Sequence, residues 1–398
     1  MHLQSDVCVI GNGAIGKAAA LGFAQAGQKV TLLIPASTGI QPSTVDPLVW
    51  DVRVYALNHV ARALLSSIKV WDALDASRIA SIDAMEVSGD GAGSGHLAFD
   101  AYGARVGTLA WIVEDQNINQ ALDAALKFAA NVTIVSGRAL QLQVDSRSAT
   151  VQIENGDTLS AALLVGADGG QSWVRGQCDI GFDYRSYGQR GVVMNFACEK
   201  PHHGVAYQWF TSSEGIVALL PLPGQRVSLV WSAPDNLAET LMHESPAVLA
   251  ARVSVFCADK LGQLSPLEPS TVKALPLSLL RTHAITAPRV ALIGDAAHVV
   301  HPLAGHGMNL GFADLAALLD VVATRESYRD CGDARVLSRY ARKRKEDILL
   351  MQLATDGLER LFSVNVEPLQ GLRNAGLNLL NKLPQLKRRL ITHAIGKR

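Results

Sequence analysis

The sequence predicts an α/β protein: a domain built on a parallel β-sheet, interrupted by a β-rich domain and followed by C-terminal helices. Three observations support this fold class. An apolar strand, a glycine turn, an Ala-rich helix and a second apolar strand follow one another in residues 6–34. From about residue 185, short β-type runs alternate with turns instead. A strand of the first type returns at residues 289–293, ahead of two long helical stretches.

The first unit has the order strand, helix, strand. Its strands, Asp6–Ile10 and Lys29–Ile34, are continuous apolar runs, as expected for a parallel sheet buried on both faces. Lys17–Gln25 between them is rich in Ala and Leu and predicts a helix that ends before Gly27. Further helices are predicted at residues 57–74 and 117–130, with strands at 132–135, 141–144, 150–154 and 163–166.

The turn of this unit carries Gly11, Gly13 and Gly16 in G-x-G-x-x-G spacing. Glycine is needed because a side chain would obstruct the turn, the approach of a pyrophosphate and the packing of helix on strand. The anion then meets free N–H groups at the helix N-terminus. With both flanks correct, the motif predicts a Rossmann-like dinucleotide site rather than a mere tight turn. The acid expected about 20 residues on, which binds ribose hydroxyls, is missing, since the second strand ends at Ile34 and Pro35.

A second glycine-rich run, Gly89–Gly95, does not predict another such site. The residues after it, His96–Phe99, have a strand pattern, so no helix N-terminus faces the loop. We expect a hairpin connection here. No second dinucleotide fold is therefore predicted for NAD(P)H.

The β-rich part defines the predicted domain boundaries. Strands are expected at residues 192–197, 205–211, 216–220 and 227–231, in a mostly antiparallel sheet, and helices at 247–260, 307–323 and 336–362. The predicted organisation is a first domain at 1–184 with a β excursion at 80–110 to the second lobe. A β-rich substrate domain at 185–285 follows, then the second part of the first domain at 286–362 and a basic helical segment at 363–398.

Two more motifs place an Asp after a strand and before a Gly-rich run. Residues 165–172 contain Asp168 and Gly169, and residues 291–311 contain Gly294 and Asp295. In each, the carboxylate can accept hydrogen bonds from hydroxyl groups. Taken alone, either Asp is more readily explained as a helix N-cap. Three such motifs in this order favour cofactor binding.

Composition excludes several classes of protein. Basic and acidic residues number 36 each, so the net charge is zero and no nucleic-acid partner is expected. The 48% hydrophobic fraction excludes a disordered chain. Five scattered cysteines without C-x-x-C spacing predict no metal site and no disulfide framework, which favours a reducing cytoplasm. We expect neither a signal peptide nor a membrane-spanning segment.

The zero net charge is a sum of two unequal parts. Residues 368–398 carry seven Lys or Arg and no Asp or Glu, or +7, which leaves −7 for residues 1–367. This basic, Leu-rich end has two interpretations: a solvated face of a terminal helix, or a surface for an anionic membrane or an acidic partner.

The motifs GNGAIG, ADGGQS and ALIGDAAH…HPLAGHGMNLG resemble the three fingerprints of the class A flavoprotein aromatic hydroxylases, of the para-hydroxybenzoate hydroxylase-like fold. Residues 51–57, 70–72 and 111–122 further resemble the ubiquinone-biosynthesis hydroxylases, and the resemblance covers nearly the whole chain. It implies a Rossmann-like FAD-binding domain with a β-rich substrate domain inserted, and FAD as cofactor. NAD(P)H as electron donor stays open, without a domain of its own.

The resemblance also implies roles for individual residues. The glycine turn would hold the FAD pyrophosphate, Arg53 its phosphates or ribityl chain, Asp295 the ribityl hydroxyls, and the loop from Pro302 the isoalloxazine. Leu140 would meet the adenine through its backbone. The full set of implied cofactor-binding residues is Gly11, Gly13, Ala14, Ile15, Gly16, Arg53, Leu140, Asp168, Gly169, Gly294, Asp295, Pro302, Gly305, His306, Gly307, Met308 and Asn309.

The chain departs from the family pattern in three places. No acid occupies Ile34 or Pro35, His306 stands where Gln is usual, and Lys17 stands where the family tends to be small or apolar. The first departure puts binding of the adenosine ribose in doubt. We expect Lys17 to compensate in part by pairing with a phosphate.

The implied reaction is hydroxylation of an aromatic ring with O₂ through a flavin C4a-hydroperoxide, on a prenylated phenol or quinol intermediate of ubiquinone biosynthesis. The cofactor carries the chemistry, so no catalytic triad is expected; His298, His301 and His306 are the candidate side chains, each with packing as the alternative. Tyr207, Trp209 and Phe210 are expected to line the substrate pocket or to be core.

Three alternatives stay open: a hydroxylase of a small soluble phenol, a flavin reductase or dehydrogenase of the same superfamily, and a non-catalytic scaffold of a biosynthetic complex. The expected location is the cytoplasm, with a peripheral position on the inner face of the membrane and a homo-oligomer both left open.

Overall fold

The computed structural model describes residues 2–36, 49–90, 94–301 and 306–363. The strands in this part of the chain are β1 (His2–Ile10), β2 (Val30–Ile34), β3 (Val54–Leu57), β4 (Ile79–Ile82), β5 (Ala84–Ser88), β6 (His96–Asp100), β7 (Ala110–Glu114), β8 (Val132–Ser136), β9 (Ala139–Val144), β10 (Ala149–Ile153), β11 (Thr158–Gly166), β12 (Phe182–Cys198), β13 (Val205–Thr211), β14 (Gly215–Leu222), β15 (Arg226–Pro234), β16 (Leu264–Pro266), β17 (Lys273–Thr282), β18 (Thr286–Ala287), β19 (Val290–Leu292) and β20 (His298–Val299). The helices are α1 (Ala14–Gln25), α2 (His59–Ser67), α3 (Asp115–Lys127), α4 (Trp173–Gln177), α5 (Asp235–His243), α6 (Pro246–Leu261), α7 (His306–Ala323) and α8 (Ala334–Ser363).

The first sheet has the strand order β18-β19-β11-β1-β2-β8, with β10 and β9 attached at β11. The pairs β1/β11, β1/β2, β2/β8 and β11/β19 are all parallel. Every residue of β2 is buried, as the continuous apolar run predicts. Helices α1, α2, α3 and α7 pack over one face of this sheet, in a single core cluster. The carboxyl ends of its parallel strands therefore meet at one edge, next to the glycine turn.

The ends of α2 are set by an N-terminal cap and a left-handed residue after its C-terminus. Helix α2 begins at an Asn58 cap, whose side chain accepts from the Ala61 N–H at 3.0 Å, and it ends by Ile68. The predicted helix over 57–74 is therefore too long. Lys69 has a φ of +60°, a left-handed conformation that stops the helix.

The second sheet is mostly antiparallel and has the order β20-β17-β12-β15-β14-β13-β5-β6, with β16 on β12. The four strands expected between residues 192 and 231 are all present, within β12 to β15. One face of this sheet packs on α5 and α6 around a fully buried Trp231. Strands β5 and β6 form the antiparallel hairpin expected around Gly89–Gly95, whose residues 91–93 lie outside the described part. The other face of the sheet looks toward the first domain.

A three-stranded sheet, β3-β7-β4, lies between these two sheets. Glu114, almost completely buried, accepts two hydrogen bonds from Arg78, at 2.6 and 2.8 Å. Asn195 of β12 donates to the Asp51 carbonyl at 3.0 Å, which ties the second sheet to the segment that leads into β3. The Arg78–Glu114 pair thus braces the three-stranded sheet, and the Asn195 hydrogen bond joins it to the second sheet.

None of the described helices is both long enough and apolar enough to cross a membrane. The described ranges also contain no group of three or more His, Cys, Asp or Glu side chains placed to hold a metal ion.

Candidate functional site

A cleft of about 1530 Å³ runs from the glycine turn to the open face of the second sheet. Its first half is lined by the carboxyl ends of the parallel strands, and its second half by side chains of β12 to β15 and β17. Ligand pockets for a single small molecule are usually about 300–1,000 Å³. This cleft therefore has room for a large cofactor and a second ligand together.

The three glycines of the turn do different work. A Cβ on Gly11, whose φ is +142°, would stand 2.1 Å from the Ala167 carbonyl oxygen, and one on Gly16 would stand 2.5 Å from the Gly11 carbonyl oxygen. These two positions allow the turn and the helix to pack. A Cβ on Gly13 would meet nothing within 4 Å, since this residue faces the cleft. The start of α1 has no side-chain cap and no acid in its first turn, so its N–H groups and dipole are left for an anion.

Two oppositely charged side chains, Arg53 and Asp295, line the cleft. Arg53 is the residue immediately before β3, and Asp295 lies in the turn after β19. Asp295 is exposed to the cleft, but the protein packed around it disfavours the charged carboxylate and raises its pKa, with His298 and Arg53 opposing this. Burial lowers the pKa of Arg53, but Tyr55, Asp115 and Asp295 more than offset it and the net pKa is raised. The Arg53 cation and the Asp295 carboxylate, an acceptor for hydroxyl groups, thus line the same cleft.

The second motif combines cleft lining with helix capping. Asp168 and Gly169 line the cleft, while the Asp168 carboxylate accepts from Ser172 Oγ at 2.5 Å and from the Val174 N–H at 3.0 Å. Buried Arg175 donates to the Gly170 carbonyl at 2.7 Å and to the Ala296 carbonyl at 3.0 Å. The N-cap of α4 is Ser172, not Asp168, although the Asp168 carboxylate also accepts an N–H of its first turn, and Arg175 ties the second motif to the third.

The third motif rests on a buried charge network. Asp314 of α7 accepts from the Gly294 N–H at 3.0 Å and from Arg344 Nε at 2.7 Å, and it lies 2.7 Å from His298 Nε2. All three side chains of this Asp314–His298–Arg344 network are buried. The network holds the turn that presents Asp295 against helices α7 and α8.

The residues implied for the isoalloxazine loop are only partly described. Gly307 and Met308 line the cleft. Asn309 does not; its amide donates to the Ala56 carbonyl at 2.7 Å and accepts from the Asn58 N–H, which fixes α7 to β3. Pro302 and Gly305 lie outside the described residues, as does the side chain of His306, the first residue of α7.

Neither described histidine candidate lies on the cleft. His298 belongs to the buried network, and His301 is fully buried, with Nε2 3.2 Å from Gln189 Oε1 and its ring edge-on to Tyr187. Burial lowers the pKa of His301 to about 4, with Asp356 opposing it weakly. His301 is therefore neutral near pH 7, and the structure favours the packing alternative for both histidines.

The structure shows the surroundings of Lys17 and of Ile34, the two positions expected to affect binding of the adenosine end of the cofactor. Lys17 is buried and its Nζ lies 2.8 Å from Asp123 Oδ1 and 3.2 Å from Asn119 Oδ1, so it is already paired to α3 rather than free for a phosphate. Ile34, where the acid is missing, packs into the core of the first domain. Leu140 is half exposed and is not among the described lining residues, although Arg138 and Ala139 are.

The three aromatic residues expected at the substrate pocket lie on both faces of β13: Tyr207 and Trp209 on one, Phe210 on the other. Tyr207 borders the cleft, but its ring stacks on Trp209 at 5.8 Å. Trp209 packs on Phe256 of α6, and Phe210 is buried under the β5–β6 hairpin. Trp209 and Phe210 do not line the cleft. The sequence reasoning missed Gln208 and Ser232, which do, because their facing depends on strand alternation and register.

Comparison with known proteins agrees with this geometry. The family model described as FAD binding domain matches residues 106–350, and the one described as glucose inhibited division protein A matches residues 6–200. The 3-demethoxyubiquinol 3-hydroxylase of Escherichia coli is 34% identical over 396 residues, 98% of each chain. The ubiquinone hydroxylase UbiL of Rhodospirillum rubrum is 32% identical over 394 residues, 98% of this chain and 90% of the relative.

Solved structures show the same fold. PqsL of Pseudomonas aeruginosa superposes with a TM-score of 0.75 at 22% identity, covering 93% of this chain and all of that one. The p-nitrophenol 4-monooxygenase PnpA of Pseudomonas putida gives 0.75 at 18% identity, covering 100% and 99%. The chain is thus an FAD-dependent monooxygenase with the para-hydroxybenzoate hydroxylase-like fold. Within that class, it belongs to the family of the ubiquinone-biosynthesis hydroxylases.

The described residues fit FAD. The open Gly13 and the uncapped N-terminus of α1 suit the pyrophosphate, and Arg53 supplies a cation on the same path. Asp295, open to the cleft, supplies an acceptor for hydroxyl groups. Gly307 and Met308 then border the space left for the flavin ring.

Proposed function

We propose that this flavoprotein hydroxylates the ring of a neutral, prenylated phenol or quinol, as a step of ubiquinone biosynthesis. One observation favours this substrate over a small anionic phenol: the cleft wall formed by the second sheet has no charged side chain among its described residues. The wall residues are Met85, Gly191, Val193, Tyr207, Gln208, Ile216, Ala218, Leu220, Val230, Ser232, Leu275 and Leu277.

The chemistry of this wall matches an apolar substrate. A carboxylate placed there would lose its hydration without gaining a cation, which is costly in an apolar site. A prenyl chain would instead bury its surface against Leu, Ile and Val side chains, a gain of about 25 cal/mol per Å². Bound FAD, once reduced, supplies the oxygen-activating chemistry. The protein holds the ring against the flavin and excludes water.

A strain lacking this chain tests the pathway assignment. We expect it to accumulate a quinone precursor that lacks one ring hydroxyl, and the wild-type chain supplied in trans to restore the normal quinone. Mass spectrometry of the extracted lipids makes the measurement. Unaltered quinones, in a strain without another hydroxylase that covers the step, would reject this function.

We also propose that the basic segment 368–398, which lies outside the described residues, brings the protein to the inner face of the membrane. Its +7 charge suits an anionic surface, and the proposed substrate resides in the bilayer. Deletion of residues 368–398 is expected to abolish sedimentation with vesicles rich in phosphatidylglycerol while FAD stays bound. If the truncated, folded protein sediments as the full chain does, the tail is not the anchor.

A further inference from the structure

Two side chains break the apolar character of the cleft wall. Gln208 of β13 and Ser232 of β15 line the cleft, and each is only 5% exposed. Across the sheet, Gln208 pairs with Ala218 and Ser232 pairs with both Ile216 and Gly191. These neighbours line the cleft as well, so the two polar groups share its face.

Neither polar side chain has a hydrogen-bond partner among the residues that the structure describes. Two other polar atoms of the same sheet, Asn195 Oδ1 and Ser228 Oγ, are also unpaired within the described part of the chain, but neither residue lines the cleft, whereas the buried Trp231 indole donates to the Glu214 carbonyl at 2.7 Å. The side-chain polar atoms of Gln208 and Ser232 are not fully buried, so they reach the cleft surface, and a ligand that displaces water there must pair them or leave them unsatisfied at a cost. Here both face a space that a ligand enters.

The residues around the two groups leave room for a flat ring. Ala218 lies beside Gln208 and Gly191 beside Ser232, the smallest side chains of the wall. One strand separates β13 from β15, and Ser232 lies two residues along from Val230, the residue in register with Gln208, so the two backbones are about 12 Å apart. The remaining wall residues are aliphatic apart from Tyr207, whose ring stacks on Trp209.

We propose that Gln208 and Ser232 anchor the oxygen substituents of the substrate ring, with Gln208 bound to the phenol hydroxyl and Ser232 to a second ring oxygen. This inference rests on the proposed function and names how the ring is recognised. An amide both donates and accepts, so Gln208 serves a hydroxyl, an ether or a carbonyl oxygen. Because no cation lies beside them on this wall, the pair selects neutral ring oxygens over a carboxylate.

The test is a binding measurement on the FAD-loaded protein. The probes are a short-chain 2-prenylphenol and the same molecule without its hydroxyl, titrated while the flavin absorbance spectrum is recorded. We expect the wild type to bind the phenol about tenfold more tightly than the deoxy probe. Gln208→Leu, similar in volume, is expected to remove that preference and to leave the Kd of the deoxy probe within about twofold.

Ser232→Ala is the second variant, and Ser228→Ala is its matched control. Ser228 lies on the same strand with a buried, unpartnered hydroxyl, but it is not among the lining residues of the cleft. With a 2-prenylphenol that carries a second ring hydroxyl, we expect Ser232→Ala to weaken binding about fivefold and Ser228→Ala to leave it unchanged. Thermal unfolding and FAD content of each variant confirm the fold.

The outcomes separate the two proposals. If Gln208→Leu keeps the full preference for the phenol in a folded, FAD-loaded protein, the anchor is overturned while the proposed function stands. If the wild type binds neither probe, the proposed substrate class fails and the anchor fails with it.

Discussion

Gly11→Ala is expected to destabilise the protein by about 3 kcal/mol or more and to abolish FAD binding. The new Cβ would stand 2.1 Å from the Ala167 carbonyl oxygen, and the residue has a φ of +142°, which an L side chain rarely adopts. Because the obstructing atom belongs to the backbone, this overlap can be removed only if β1 and the loop after β11 move apart. Urea unfolding of the apoprotein and FAD fluorescence titration measure the two effects.

Gly13→Ala is the matched control. Its Cβ meets nothing within 4 Å, so the apoprotein should unfold at the wild-type urea concentration. We expect its FAD affinity to fall at least tenfold, because the methyl group enters the space assigned to the pyrophosphate. Wild-type FAD affinity in Gly13→Ala would contradict the cofactor position, and wild-type stability in Gly11→Ala would contradict the turn geometry.

Arg344→Met is expected to cost about 3–5 kcal/mol in unfolding free energy. Asp314 is fully buried, and without Arg344 its carboxylate keeps only His298 and the Gly294 N–H. Removal of one partner of a buried ion pair leaves an uncompensated charge, which is the reason for the large penalty. Since Asp314 holds the Gly294 N–H, we also expect weaker FAD binding. Chemical denaturation with and without FAD measures both.

The pH dependence of this penalty has a definite sign. Burial alone would raise the pKa of Asp314, but His298 and Arg344 together hold it below its usual value. A depressed carboxyl pKa stabilises the folded state above the unfolded pKa, about 3.9, and that stabilisation is lost as the pH falls through the folded value. The difference between wild type and Arg344→Met should therefore be full at pH 7 and shrink below about pH 4.

An exposed arginine on the same helix provides the control. Arg342 makes one long hydrogen bond, from its Nε to the Ser338 carbonyl at 3.3 Å. Arg342→Met should change the unfolding free energy by no more than about 0.5 kcal/mol. An equal loss in both variants would show that α8 is sensitive to any loss of charge, and the buried network would then not explain the effect.

The sequence predicts the part of the site that is formed by the three contiguous glycine motifs. The three glycine motifs each combine a strand, a turn and a helix start, so their spacing alone places Gly11, Asp168 and Asp295 at one edge of a parallel sheet. The structure brings all three to the same cleft. The alternation of β-type runs likewise predicts β12 to β15.

The remainder depends on contacts that no local pattern encodes. Lys17 is paired to Asp123, 106 residues away, a contact that the sequence pattern does not predict. Trp209 and Gln208 are neighbours in the sequence but lie on opposite faces of β13, and the register of four strands decides which face is the cleft. The sequence therefore predicts Trp209 at the substrate pocket, whereas its neighbour Gln208 lines the cleft.

We expect the protein to place an oxygen atom from O₂ on the ring of a neutral prenylated phenol. The direct measurement is a single turnover: FAD-loaded protein is reduced without oxygen, mixed with a 2-prenylphenol and exposed to ¹⁸O₂. Mass spectrometry of the product should show one ¹⁸O atom on the ring. A reoxidised flavin with unlabelled or unchanged phenol would contradict the account.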